Sequence, residues 1–280
     1  MKVLGLVGSP RKLGNSEILV KEMLASLPAD VEKSMIRLSD LDIKPCKACY
    51  ACLPREQGCV IADHLSFLLE RIREADAVII ASACYFLGSH TSLKTISDRL
   101  ICILADSHLY TGKKCVTATV YGMPDWEGYA RESVNNFARF LHLDVVGDML
   151  VNAASPGEVV EPAVLQKARE LADRLVSGQA CAADSAILTC PDCSSSLLQI
   201  SPAGQVRCVM CNARGTLMPS DTGYAVRFDT ECHKRYSPEG MTEHQQNMEE
   251  AKRLFITNRQ EFYRRRKPYD AYDWWIKPEE

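Results

Sequence analysis

Thirteen cysteines in 280 residues set the chemistry of this chain, and eight of them fall in two tight groups. Cys46, Cys49, Cys52 and Cys59 follow the pattern Cys-x2-Cys-x2-Cys-x6-Cys. Three thiolates at that spacing can wrap one cuboidal iron–sulfur cluster, and a fourth nearby closes the set. A zinc site, or reduced thiols without metal, are the other readings of the same residues. The second group is Cys190-Pro-Asp-Cys193 and Cys208-Val-Met-Cys211, with 14 residues between the pairs. Two such knuckles make a closed, tetrahedral four-sulfur metal site. Zinc in a ribbon is the first reading and rubredoxin-type iron its rival. The segment between the pairs has no aromatic residue for the core that rubredoxins pack there. Cys84, Cys102, Cys115 and Cys181 read as packed free thiols. Cys232 and His233 read as bystanders, since four ligands are already supplied.

The second chemical signal is a loop built for an anion. Gly8-Ser9-Pro10-Arg11-Lys12-Leu13-Gly14-Asn15-Ser16 joins an apolar strand to a helix N-terminus. Such a place offers unpaired backbone N–H groups and a favourable dipole. Ser9, Asn15 and Ser16 can donate side-chain hydrogen bonds, and Arg11 can pair with a phosphate. The loop lacks the Gly-Lys-Ser/Thr ending of a Walker loop and the Gly-x-Gly-x-x-Gly of a dinucleotide fingerprint. An ordinary strand–helix turn remains the bland reading.

The elements that must hold these residues follow from periodicity. Residues 2–7 read as a buried strand and 15–27 as a helix capped by Asn15 or Ser16, with Leu19, Val20, Met23, Leu24 and Leu27 as its apolar stripe. A strand near 32–38, a cysteine-rich loop over 44–62 and a helix to 74 come next. Strands at 76–82, 114–122 and 143–151 then alternate with helices at 91–105, 128–141 and 161–176. This order predicts an α/β fold, a five-stranded parallel sheet with helices on both faces. Ligands of such a sheet sit beyond the carboxyl ends of its strands. The loops 8–16, 82–90 and 121–128 emerge there, where Tyr85, Phe86, Tyr121 and Trp126 can flank a flat ring.

The composition changes after Val176. The chain divides into 1–178, a linker at 179–189, a metal-ribbon segment at 190–230, and 231–280 with one long helix over 239–266 and an aromatic tail. Arg264-Arg265-Arg266-Lys267 reads as a solvated helix end. Tyr269, Tyr272, Trp274 and Trp275 are expected to dock on the core or on a neighbouring subunit.

Three segments carry a family resemblance. GSPRKLGNSE resembles the FMN phosphate loop of the NADPH-dependent FMN reductase and iron–sulfur flavoprotein family. CKACYACLPREQGCVIADHL resembles that family's cysteine segment, whose compact motif holds a [4Fe-4S] cluster, and is also similar to the bacterial ferredoxin run, with a more distant fourth cysteine. ADAVIIASACYFLGSHTSLKTISDR resembles the third strand, flavin loop and following helix. The motifs stand in family order over roughly the first 175 residues. The resemblance implies a flavodoxin-like fold with strand order 2-1-3-4-5. It implies FMN held at Ser9, Arg11, Asn15 and Ser16, with the ring beside Tyr85, Phe86, Leu87 and Gly88. The chain departs from the family at Ala83, where proline is usual, and near Leu87, where glycine is usual, so the rim of the ring pocket differs.

The expected function is an FMN-dependent oxidoreductase with NAD(P)H as co-substrate, passing electrons through the flavin and a [4Fe-4S] cluster to a redox partner or small-molecule acceptor. A ferredoxin-fed flavoenzyme and an electron carrier or redox sensor are the alternatives. No side-chain acid–base pair stands out as catalytic. Grouped thiols without a disulfide framework fit a reducing, cytoplasmic setting, and a homo-oligomer is expected. The net charge of −3 and the lack of a long apolar run give no reason to expect nucleic acid or membrane as a partner.

Overall fold

A computed structural model describes residues 1–53, 58–177, 187–220, 223–230, 235–272, 274 and 276. Five parallel strands form its centre: β1 (Lys2–Gly8), β2 (Glu32–Arg37), β3 (Ala77–Tyr85), then, after the two-residue β4 (Gly88–Ser89), β5 (Lys114–Tyr121) and β6 (Asp144–Asn152). Their order is β2-β1-β3-β5-β6, with β4 paired antiparallel to β3. This is the 2-1-3-4-5 order expected. Central strands buried on both faces need continuous apolar runs, and Leu4, Leu6, Val78, Ile79 and Ile80 supply them, each no more than 2% exposed.

Helices α1 (Asn15–Ser26) and α5 (Pro162–Ser177) cover one face through Leu19, Val20, Met23, Leu171 and Leu175. Helices α2 (Leu65–Glu74), α3 (Thr91–Ser97) and α4 (Ala130–Phe140) cover the other through Leu68, Ile72, Ile96, Val134 and Phe137. The whole predicted stripe of α1 is buried.

Four local expectations change. Helix α1 is capped by Gly14, with no side-chain bond, rather than by Asn15 or Ser16. The helix expected over 91–105 stops at Ser97 and resumes as a 3-10 helix over Leu100–Leu109; Arg99, between the two, turns into the interior. Strand β3 continues to Tyr85 and reverses through Phe86 and Leu87, both left-handed (φ 47° and 66°). The helix expected over 239–266 is two, α6 (Pro238–Thr257) and α7 (Arg259–Arg266), parted at Asn258.

Beyond the sheet lies a four-stranded antiparallel ribbon of order β10-β9-β8-β7: β7 (Leu198–Ile200), β8 (Gln205–Cys208), β9 (Arg214–Ser220) and β10 (Gly223–Phe228). The tail aromatics among the described residues do not dock on the core. Tyr269, Tyr272 and Trp274 are exposed, and Tyr272 stacks on Trp274 at 4.7 Å between ring centres. Trp275, Cys181, Cys232, His233 and linker residues 179–186 lie outside the described residues. Among the described residues no helix is long and apolar enough to cross a membrane.

Candidate functional site

At the carboxyl ends of the strands a cavity of about 130 Å³ is lined by Ser9, Arg11, Asn15, Ser16 and Tyr85. Its first wall is the loop between β1 and α1. Gly8 leaves β1 so close to its neighbours that a Cβ there would lie 2.2 Å from Leu93 Cδ1 and 2.9 Å from Ser82 Oγ. No side chain caps α1, so its first-turn amides are left for an outside acceptor. The Arg11 guanidinium reaches Ala154 O at 3.4 Å across the mouth, and the hydroxyl of buried Ser9 accepts from the Arg11 N–H at 3.4 Å.

Asn15 has a task the sequence did not reveal. Its Nδ2 donates to Ala153 O (3.2 Å) and Ser155 O (2.9 Å), and its Oδ1 accepts from the Gly157 N–H (2.8 Å). The amide thus fastens the loop after β6 to the loop after β1. It is a brace, and both its donors are already used. The loop after β6 supplies Ala153 and Ala154 to the cavity, while Ala83, Cys84, Val120 and Gly122 complete the wall. Of these six, sequence reasoning placed Ala83 alone at the rim of the ring pocket, read Cys84 as a packed thiol, and missed the other four. Small residues carry no chemical signal of their own; only their position after strands at the binding edge marks them.

Of the remaining aromatic candidates, Tyr121 and Trp126 do not line this cavity, nor do Phe86, Leu87 and Gly88. Phe86 is fully exposed and Trp126 65% exposed. They belong to two adjoining loops. The Tyr129 N–H donates to Leu87 O at 2.8 Å, and the Cys84 thiol faces Trp126 O and Glu127 O at 3.7 and 3.6 Å. Burial pushes that thiol up, leaving it neutral.

Cys46, Cys49, Cys52 and Cys59 come together around a second cavity, of about 220 Å³. It shares no lining residue with the first. Ala48 and Tyr50, between the first three cysteines, are left-handed (φ 48° and 53°). Such alternation turns backbone N–H groups inward toward an anionic group, and the Ala48 N–H donates to Cys46 Sγ at 3.4 Å. Arg99 Nη2 donates to Cys59 Sγ at 3.1 Å. Burial, then the neighbouring Cys59, Cys49 and Cys46, push the Cys52 thiol up. A single zinc ion with Zn–S about 2.3 Å would draw its sulfurs to about 3.8 Å from one another. The first group is not gathered to within 4.8 Å, whereas the second is. The Ala48 N–H at Cys46 and the Arg99 cation at Cys59 suit an anionic group held by these four sulfurs. Helix α6 covers this loop: Met248 lines the cavity and Lys252 Nζ donates to Tyr50 O at 3.1 Å. Cys102 and Cys115 are packed thiols as expected, and burial pushes Cys102 up to about 12.

The sequence model of the NADPH-dependent FMN reductase family matches residues 1–156, more than half of the chain. The chain belongs to that family. An iron–sulfur flavoprotein of Methanosarcina thermophila is 29% identical over 186 residues, 62% of this chain and 95% of that protein. One from Methanocaldococcus jannaschii is 40% identical over 101 residues, 35% of this chain; the match spans only 51% of that protein. Among solved structures, a flavone reductase aligns over 100% of both chains with a TM-score of 0.79 at 20% identity. The shared fold therefore extends past the parallel sheet into the ribbon and the C-terminal helices.

In this FMN reductase family member the ribbon brings Cys190, Cys193, Cys208 and Cys211 within 4.8 Å of one another, all buried. Cys190 and Cys211 sulfurs are 3.3 Å apart, Cys193 and Cys208 3.5 Å. These four could hold one metal ion, with no open coordination position. Phe228 and Tyr236 pack against them. Aromatic packing does exist here, but it comes from outside the segment between the knuckles. The ribbon rests on α4. Arg139 Nη2 donates to Cys193 O (3.0 Å), Ser196 Oγ donates to the buried carboxylate of Glu132 (3.0 Å), and Tyr236 OH donates to Asn136.

Proposed function

We propose that this chain is an FMN-dependent oxidoreductase that takes electrons from NAD(P)H and passes them, by way of a [4Fe-4S] cluster, to a redox partner or small-molecule acceptor. One observation carries the reading. Ser9, Arg11, Ser16 and the uncapped end of α1 meet at one cavity, in a chain whose first 156 residues match an FMN reductase family. The phosphate end of FMN fits there because hydroxyl donors, a guanidinium and a helix dipole all favour negative charge. Ser9 and Ser16 donate to that phosphate, Arg11 pairs with it, and Asn15 braces the neighbouring loop. Tyr85 borders the ring, with Phe86, Leu87, Gly88, Tyr121 and Trp126 on the loops around it. FMN, when bound, supplies a ring that accepts a hydride as an electron pair and returns electrons singly. NAD(P)H needs no fingerprint of its own, because Tyr85 and Phe86 leave an exposed side for its transient stacking. Cys46, Cys49, Cys52 and Cys59 hold the cluster, and Cys190, Cys193, Cys208 and Cys211 hold a structural zinc. The working form is a cytoplasmic homo-oligomer, which would give the exposed tail aromatics a partner.

Purification without oxygen tests the flavin, the cluster and the electron donor. The protein is expected to retain or rebind FMN, to carry about four irons and four sulfides, and to lose flavin absorbance when NADH or NADPH is added. Protein that neither retains nor rebinds FMN ends the reading. A flavin untouched by both nicotinamides but reduced by ferredoxin moves the function to a ferredoxin-fed flavoenzyme or an electron carrier.

A further inference from the structure

Arg99 is the largest fully buried side chain among the described residues. Its guanidinium works on both stems of the cysteine loop. Nη1 donates to Lys44 O (3.1 Å), just before Cys46, and to the carboxylate of Asp63. Nη2 donates to Cys59 Sγ (3.1 Å) and reaches Ile61 O (3.5 Å), just after that cysteine. Asp63 in turn accepts from the N–H groups of Lys44 (2.8 Å) and Leu65 (3.1 Å). The Arg99 Nε–H is also buried and meets no acceptor among the described residues. Packing alone does not ask for this arrangement, since an apolar residue would fill the space without the cost of burying a charge.

We propose that Arg99 is a positioning residue for the cluster of the 46–59 loop, holding the Cys59 thiolate at the fourth corner and raising the cluster's reduction potential. The inference rests on the reading that this loop carries a [4Fe-4S] cluster. Reduction adds one electron to the cluster core, from the 2+ to the 1+ level, and therefore one negative charge. A fixed cation and an N–H···S bond at a cluster sulfur favour that charge, and hydrogen bonds and net charge are the levers that set such potentials. Asp63 acts in the opposite sense, as a buried carboxylate that partly offsets the guanidinium.

Full-length protein prepared without oxygen is titrated with dithionite as the one-electron source, and the cluster is followed by EPR, with iron and labile sulfide measured in parallel. Arg99→Gln is expected to lower the ratio of reduced to oxidised cluster about tenfold at the wild-type midpoint, which for one electron corresponds to about 59 mV. Arg99→Lys restores part of the loss. Asp63→Asn, which leaves the guanidinium uncompensated, shifts the potential upward. A role in shape alone predicts no such opposition of signs. Unchanged potentials, or shifts of the same sign in the Gln and Asn variants, overturn the inference while the cluster stands. If Arg99→Gln holds no cluster, the Lys and Asn variants decide by the same rule. Wild-type protein without labile sulfide overturns the cluster reading, and this inference with it.

Discussion

Asn15 and Arg11 both line the carboxyl-end cavity, yet their removal should be felt in different measurements. Asn15 bonds three backbone groups of the loop after β6. Asn15→Ala leaves those groups without partners and is expected to cost about 1–3 kcal/mol of folding stability, seen as a lower melting temperature even without flavin. Arg11 is exposed, with one long bond to Ala154 O. Arg11→Ala should leave the melting temperature alone and weaken FMN about tenfold, about 1.4 kcal/mol, in a fluorescence titration. An equal fall in melting temperature for both variants contradicts this division of labour. Glu17, on the first turn of α1, adds a pH dependence. Burial works to raise its carboxyl, but bonds from Lys21 and the Leu13 N–H, with the charge of Arg37, outweigh burial and hold it below its ordinary value of 4.5. A depressed folded-state value gives stability that is complete above the unfolded value and lost as pH falls through the folded one. Acid unfolding below pH 4.5 should therefore be shallower in Glu17→Gln than in wild type. At this scale the residue types at the site were legible from sequence. The atoms each would spend on its neighbours were not, because Asn15 and Ala153 are 138 residues apart.

The parallel strands were legible because burial on both faces leaves continuous apolar runs such as Ala77–Ala81, and α1 because its stripe is unbroken. What escaped were turns and breaks whose cause is tertiary. The reversal at Phe86 and Leu87 carries none of the Gly or Asn residues that usually announce two left-handed positions. The break after Ser97 follows from Arg99 being drawn to Asp63 and Cys59, which no local propensity encodes. The turn over Phe86 and Leu87 is held from outside by Gly128 (φ 54°), where a Cβ would lie 2.3 Å from Leu87 Cβ and 2.6 Å from Leu87 O. Gly128→Ala must therefore push this turn away from the 123–129 loop. The expected result is weaker flavin binding and a shifted flavin absorbance band, with the ribbon's metal content unchanged. Wild-type flavin affinity in that variant would show that the turn takes no part in the ring site.

Sheet and ribbon are joined by α4, which packs Val134 and Phe137 into the sheet, offers Glu132 and Arg139 to the ribbon, and offers Asn136 to Tyr236 just past it. The sequence announced the four-cysteine site, since two Cys-x-x-Cys pairs suffice for that. It gave no sign of the seat on α4, whose polar residues look like an ordinary solvated helix face until the ribbon covers them. This seat decides what metal loss should do. Without a metal, four buried thiols no longer hold β7 to β10 in register, and the ribbon's grip on α4 loosens with them. Glu132, 5% exposed, then loses its bonds from the Ser196 hydroxyl and N–H and is left with the more distant Arg131 guanidinium at 3.8 Å, and a buried carboxylate short of hydrogen bonds is costly. Damage should therefore pass from the ribbon into α4 but stop at the sheet, because the carboxyl-end cavity is walled by the ends of β1, β3, β5 and β6 and takes no residue from the ribbon. Cys208→Ser is expected to lose one equivalent of zinc, to raise amide hydrogen exchange across 190–228 and along the ribbon-facing side of α4, and to keep FMN bound. Two results would count against this picture in separate ways. Stoichiometric iron with a rubredoxin-type visible spectrum would replace the zinc and leave the mechanics intact. Unchanged exchange in α4 after complete metal loss would show that the polar seat, not the metal, holds the ribbon in place.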